Sequence, residues 1–266
     1  MPKQNDVVSK VTGLSASQLQ KKSGAFLTCL IAGFLLVALA LGAAVYLHAA
    51  RVDTFETLLL QNLDPQALGT DEGSIRSFAR ETIFYITGAQ ETWNPQITVA
   101  GLPASGFIPQ SFYDHMKTVQ SAVKSAQAAF WAGAGIVVAL LGYAVIGAKK
   151  GAKKGVKKGT KGGGQLSFSL GGYYVGAGVA LLLILGIGLW SYLDFQGFWA
   201  VLHQYLIPDG IFSAAEPIMQ LFPLEMFAGY LEPVFMTFGL FAVGILLLPL
   251  ILFPVSKLLM GVKPQK

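Results

Sequence analysis

Four long apolar runs interrupt this chain of 266 residues. Ala25–Ala49, Ala126–Ala148, Leu170–Leu193 and Val234–Val255 contain no Lys, Arg, Asp or Glu. Each run reaches the roughly 20 residues that a helix rising 1.5 Å per residue needs to cross a bilayer core. They are too long and too unalternating to be strands. The pattern predicts an all-α membrane protein with four transmembrane helices. The polar remainder is a leader (1–24), two larger loops (50–125 and 194–233), a link (149–169) and a tail (256–266). The first run exceeds a signal-peptide core and follows a polar leader, so it reads as an uncleaved anchor.

The larger loops carry helical patterns of their own. Pro109-Gln110-Ser111 suits a helix start with Ser111 as N-cap. No Gly or Pro follows until Gly133, so one helix is expected from about Ser111 through the second span. After the third span, Phe195, Phe198, Trp199, Leu202 and Leu206 recur at helical spacing as far as Pro208. This predicts a short helix at the membrane interface, with Trp199 and Tyr205 as amphipathic anchors. A turn at Ile207-Pro208-Asp209-Gly210 would close it.

Composition narrows the class further. Hydrophobic residues make up 53% and charged residues 12%, with a mean hydropathy of +0.57. Soluble domains carry about 25% charged residues, and a chain this apolar does not stay disordered. The net charge of +5 would suggest nucleic acid if it were spread evenly. It is not. The leader, the link and the tail hold fourteen lysines against Asp6 alone. The two larger loops hold five basic and thirteen acidic residues. Lys and Arg accumulate on the cytoplasmic side, so both termini are expected there and both larger loops outside. Nucleic acid is not an expected partner; membrane lipid is.

Within the link, Lys149–Gly164 repeats as KKGA-KKGV-KKGT-KGGG. Dense Gly opposes a helix and like charges repel, predicting a flexible loop that touches anionic lipid. It lacks the preceding strand and the Gly-Lys-Ser/Thr ending of a phosphate loop. Cys29 is the single cysteine, so no intramolecular disulfide forms.

Candidate chemistry lies in three histidines, all on the outer side by the charge rule. His48 ends the first span and reads as an interfacial polar tip. His115 lies about 16 Å along its helix from the second apolar run. His203 stands one turn beyond Trp199. Histidine suits general acid–base work because its pKa lies near neutrality. Zinc ligation by the two histidines with Asp114 or Glu225 is weaker, since no HExxH or CxxC spacing is present. GxSxG is absent as well. Two readings stay open. One is an outward-facing enzyme. The other is a non-enzymatic sensor, assembly or transport subunit whose outer loops bind a partner. Gly133, Gly135, Gly142 and Pro249 within the spans suit transport. The lack of Lys, Arg, Asp and Glu there opposes ion coupling.

Four segments carry a resemblance. They are Arg80-Glu81-Thr82-Ile83-Phe84-Tyr85-Ile86-Thr87-Gly88, Asp114-His115-Met116-Lys117-Thr118-Val119, Asp194–His203 and Glu216–Phe227. Together they resemble the lipoprotein intramolecular transacylase (Lit) family, four-span membrane proteins of Gram-positive bacteria. The chain departs from that pattern at Thr118, Phe212 and Glu216, and in its Lys-Gly link. The resemblance implies that His115 and His203 are the catalytic residues. It also implies transfer of the sn-2 acyl chain of a diacylglyceryl-cysteine lipoprotein to that cysteine's own α-amino group. Ester to amide is downhill, so no nucleotide, metal or other cofactor is expected. Tyr113, Tyr85, Arg80 and Trp199 are candidate substrate-binding residues, with Asp114 as a further orienting group. The protein is expected to act as a monomer in the cell membrane.

Overall fold

The computed structural model describes residues 16–157, 169–207 and 216–259. In chain order these form α1 (Ala16–Ala49), α2 (Val52–Asn62), α3 (Glu72–Ile86), β1 (Thr98–Val99), β2 (Leu102–Pro103), α4 (Ala104–Phe107) and α5 (Gln110–Lys157). Then come α6 (Leu170–Leu193), α7 (Phe195–Leu206), a 3-10 turn (Pro217–Gln220), α8 (Leu224–Ala228) and α9 (Leu231–Leu259). Among the described residues, four helical stretches are long and apolar enough to cross a membrane: Ser23–Ala49, Gln110–Leu140, Leu170–Leu193 and Leu224–Leu250.

Two details differ from the sequence expectation. Helix α5 starts at Gln110, with Phe112 N–H on the Pro109 carbonyl at 3.0 Å, so Ser111 lies inside the first turn instead of capping it. At its other end α5 runs on through Lys157. The Lys-Gly repeat is therefore helical from Lys149 to Lys157. Extending an existing helix is far easier than nucleating one, which outweighs about 1 kcal/mol for each Gly. The rest of the repeat lies outside the described residues, as do Phe212 and the turn from Pro208 onward.

The chain divides into two compact units. One comprises the described residues of Met1–Leu39, Ala132–Ile184 and Phe241–Lys266; the other comprises Ala40–Trp131 and Leu185–Leu240. In the first, glycines set the approach of α1 to α6. A Cβ at Gly172, Gly176 or Gly33 would strike the carbonyl oxygens of Phe26, Leu30 and Tyr173 respectively. Small residues four apart permit such backbone contact in lipid, where no hydrophobic drive brings helices together. Pro249 has no N–H, which leaves the Ile245 carbonyl without its helical partner. The Tyr173 hydroxyl donates to that carbonyl at 2.7 Å. Helix α9 thus runs unbroken through Pro249, not divided into the half-helices of a transport site.

The second unit holds a hydrophobic core outside the apolar runs. On α2, Phe55 and Leu59 share one face; on α3, Ile75, Phe78, Ala79, Thr82 and Ile83 do so. Asp71 caps α3, accepting from Ser74 N at 3.0 Å. Gly88, at φ 81°, ends it in the left-handed region. The chain then returns Trp93 to the core, where its indole N–H donates to the buried Thr82 hydroxyl at 3.2 Å. A two-residue hairpin follows, in which Val99 and Leu102 pair across Ala100 (φ 51°) and Gly101 (φ 80°).

Replacing Gly176 by Ala is expected to lower thermal stability in detergent, by about 1–3 kcal/mol. Gly178→Ala, at a position with nothing within 4 Å, should leave the melting temperature near wild type. Equal melting temperatures for the two variants would refute the close helix contact.

Candidate active site: a stacked histidine pair

Helix α5 emerges from the second unit's core with Phe112, His115 and Met116 on one buried face. Positions i, i+3 and i+4 share a helix face, so the imidazole is carried inward with its apolar neighbours. His115 is only 7% exposed. Helix α7 approaches differently. Asp194 interrupts the helical path after α6 and caps α7, accepting from Gly197 N at 2.9 Å. No residue of α7 is fully buried, and His203 is half-buried.

The two imidazoles stack, with centroids 6.1 Å apart and planes 21° apart. A closed circuit of rings surrounds the contact. His203 meets Trp199 at 4.5 Å, and Trp199 stacks on Phe227 at 4.4 Å. Phe227 meets Phe222 at 6.4 Å, Phe222 meets Phe112 at 5.5 Å, and Phe112 meets His115 at 5.6 Å. Three elements distant in sequence contribute: α5, α7 and the segment spanning residues 216–228. In the same segment as Phe222 and Phe227, Ile218, Leu221 and Met226 have no exposure at all.

Nδ1 of His203 lies 3.1 Å from the Trp199 carbonyl oxygen. A carbonyl only accepts, so Nδ1 carries the hydrogen and Nε2 keeps its lone pair. Burial holds the His203 pKa below its ordinary 6.5, and the Trp199 hydrogen bond offsets this in part. The neutral ring, with Nε2 able to take a proton, is the favoured form near neutrality.

The other predicted residues fall in three places. Trp199 is part of the circuit. Tyr113, on the helix of His115, turns its ring onto Trp93 at 5.5 Å. Tyr85 is buried beside a different stretch of α5. Its carbonyl accepts from Gln120 Nε2 at 2.6 Å, and burial raises its phenol pKa against a smaller pull from Lys117. Arg80 is exposed on α3. None of the described contacts joins Tyr85 or Arg80 to the histidines. Asp114 is paired with Lys117 at 2.7 Å on an exposed face. The third histidine, His48, lies 2.8 Å through Nε2 from the Thr237 hydroxyl and links α1 to α9. Among the described residues no group of three or more His, Cys, Asp or Glu is arranged to hold a metal ion.

Sequence reasoning did not single out Phe112, Phe222 or Phe227 as site residues. A partial signal existed for Phe112, three residues before His115 and hence on its face. Nothing in the spacing of Phe222 and Phe227 announces that they meet rings from α5 and α7.

Fold and geometry together define a four-span membrane protein bearing a paired histidine centre in a compact helical region. Among solved structures, the chain is similar to the membrane-integral lipoprotein intramolecular transacylase Lit of Bacillus cereus. The TM-score is 0.55 at 15% identity, covering 91% of this chain and all of that one. The shared fold is the one implied by the sequence resemblance. No family model and no curated protein sequence matches the chain.

Because folding holds the His203 pKa below its unfolded value, the unfolded chain binds more protons in the interval between the two. The stabilisation is complete above about pH 6.5 and is lost as pH falls through the folded-state value. Wild-type melting temperature is therefore expected to rise with pH in that window relative to His203→Asn. Parallel curves for the two proteins would exclude the effect.

Proposed function

We propose that the protein is an intramolecular acyltransferase acting on a lipoprotein with a diacylglyceryl-cysteine N-terminus. The observation that carries this reading is the stacked pair His115–His203 inside its ring circuit. The likeness to a transacylase fold supports it. So does the charge distribution, which puts the pair on the extracytoplasmic side of the cell membrane, with both termini cytoplasmic. In that orientation the site faces the leaflet where a translocated lipoprotein is anchored.

In the proposed step, the substrate's α-amino nitrogen attacks the sn-2 ester carbonyl. A C–N bond forms and the C–O bond to glycerol breaks. The proton lost by the amine is returned to the departing glycerol oxygen, so the reaction balances without a co-reactant. The amine must be neutral to attack, and its ordinary pKa is about 7.7–8.0. His203 Nε2 is the proton acceptor because its other nitrogen is held by the Trp199 carbonyl. His115, stacked against it, is the donor to the glycerol oxygen. Two charged imidazoles at this separation repel, so the pair works with a single proton. Because both reacting groups belong to one molecule, the protein orients them and moves that proton.

Trp199 and Tyr113 are the proposed walls for the cysteine end of the substrate. Tyr85 and Arg80 are assigned to binding farther from the reacting atoms. The apolar spans accommodate acyl chains. The reaction proposed needs neither metal nor nucleotide, and one copy of the chain suffices.

Expression in a bacterium lacking lipoprotein N-acylation tests the reading. Mass spectrometry of lipoprotein N-termini is expected to reveal N-acyl, S-monoacylglyceryl cysteine. His115→Ala and His203→Ala should each reduce conversion by at least about 100-fold while the protein still inserts. An unchanged diacylglyceryl form beside well-expressed wild-type protein would refute the activity. Near wild-type conversion by both variants would refute the assignment of the histidines.

A further inference from the structure

We infer that Phe227 is a positioning residue for His203, acting through the ring of Trp199. The inference rests on the acyl-transfer reading only for its kinetic readout. Helix α7 contributes no fully buried side chain, so ordinary core packing does not locate it. What it contributes instead are ring contacts: Phe198 meets Trp190 of α6 at 5.6 Å, and the Trp199 ring lies between Phe195 on its own helix at 5.7 Å and Phe227 at 4.4 Å. Of these two Trp199 contacts, only the second ties α7 to another element.

Phe227 is well placed for that task. It follows Met226, which has no exposure, in a short helix anchored beside the equally buried Ile218 and Leu221. Its ring is thus presented by a segment locked into the core. Trp199 in turn both touches the His203 ring at 4.5 Å and supplies the carbonyl beside Nδ1 at 3.1 Å. Removing the Phe227 ring takes away the 4.4 Å stacking contact that Trp199 makes with α8. The Trp199 side chain and the turn that follows it then lose their fixed register against His115. Phe227 touches no reacting atom in this account, and its effect reaches the chemistry only through His203.

The test compares Phe227→Leu, which keeps bulk but loses the aromatic face, with Phe227→Tyr, which keeps the ring. Purified full-length protein is assayed on a synthetic diacylglyceryl lipopeptide. In parallel, His203 is titrated by NMR of histidine-labelled protein without substrate. The Leu variant is expected to lose about 10- to 100-fold in kcat with KM nearly unchanged. Its His203 pKa should move up towards 6.5 as water gains access. The Tyr variant should restore both readouts to near wild type. Unchanged His203 titration in a folded Leu variant overturns the inference, whether or not the wild-type protein transfers acyl groups. An equal loss in the Tyr and Leu variants also overturns it, since stacking would then not be what matters. If the wild-type protein is inactive while the titrations follow the expected pattern, positioning stands and the acyl-transfer reading fails.

Discussion

Two imidazoles held with their centroids 6.1 Å apart in largely apolar surroundings constrain everything built around them. Each ring loses hydration, and two like charges at that separation would repel. His115 and His203 therefore need neighbours that fix their planes without supplying another formal charge. Aromatic rings do this, through offset and tilted contacts of about 0.5–1.5 kcal/mol each beyond the area they bury. The circuit through Trp199, Phe227, Phe222 and Phe112 returns to its starting point. A closed arrangement of this kind restricts both histidines together. The rings also reach deeper, since Phe78 meets both Phe222 and Trp93. The site and the hydrophobic core of its unit are continuous.

A second constraint governs the apolar helices. Lipid offers no hydrogen-bond partner, so each backbone group freed from a helix needs one inside the protein. Pro249 creates such a group at Ile245, and Tyr173 satisfies it. Glycines 33, 172 and 176 let α1 and α6 meet at backbone distance. These devices preserve helical continuity. That removes the structural argument for a transport site at Pro249, which its sequence position alone had suggested.

The architecture was legible because it follows from local rules. Four uncharged runs require helices, and an uninterrupted stretch after Pro109 requires that one of them begin well before its span. Both histidines stood out by chemistry and by their neighbours. Their mutual contact did not, because it depends on α7 crossing to α5 over nearly ninety residues of intervening chain. Periodicity describes the face of a helix but not what that face meets. Tyr85 and Arg80 were named because both belong to a segment that resembles the family; the Tyr85 backbone carbonyl accepts from Gln120 and Arg80 is exposed. The Lys-Gly repeat misled. Local propensity argued against a helix, while the long helix preceding it carried the backbone on to Lys157.

In the proposed reaction a single centre relays a proton and no acyl group rests on the protein. Cys29, the chain's single cysteine, belongs to the other unit. In the proposed reaction the two histidines serve as acid and base, and the substrate's own amine is the nucleophile. A crossover experiment tests this most directly. Purified protein is given an equal mixture of two synthetic diacylglyceryl lipopeptides, distinguished in the peptide, with a carbon-13 sn-2 chain on one alone. The prediction is that the heavy chain appears as an amide only on the peptide that carried it as an ester. Heavy chain distributed over both peptides, or no amide at all from active-site-intact protein, would contradict an intramolecular transfer driven by this histidine pair.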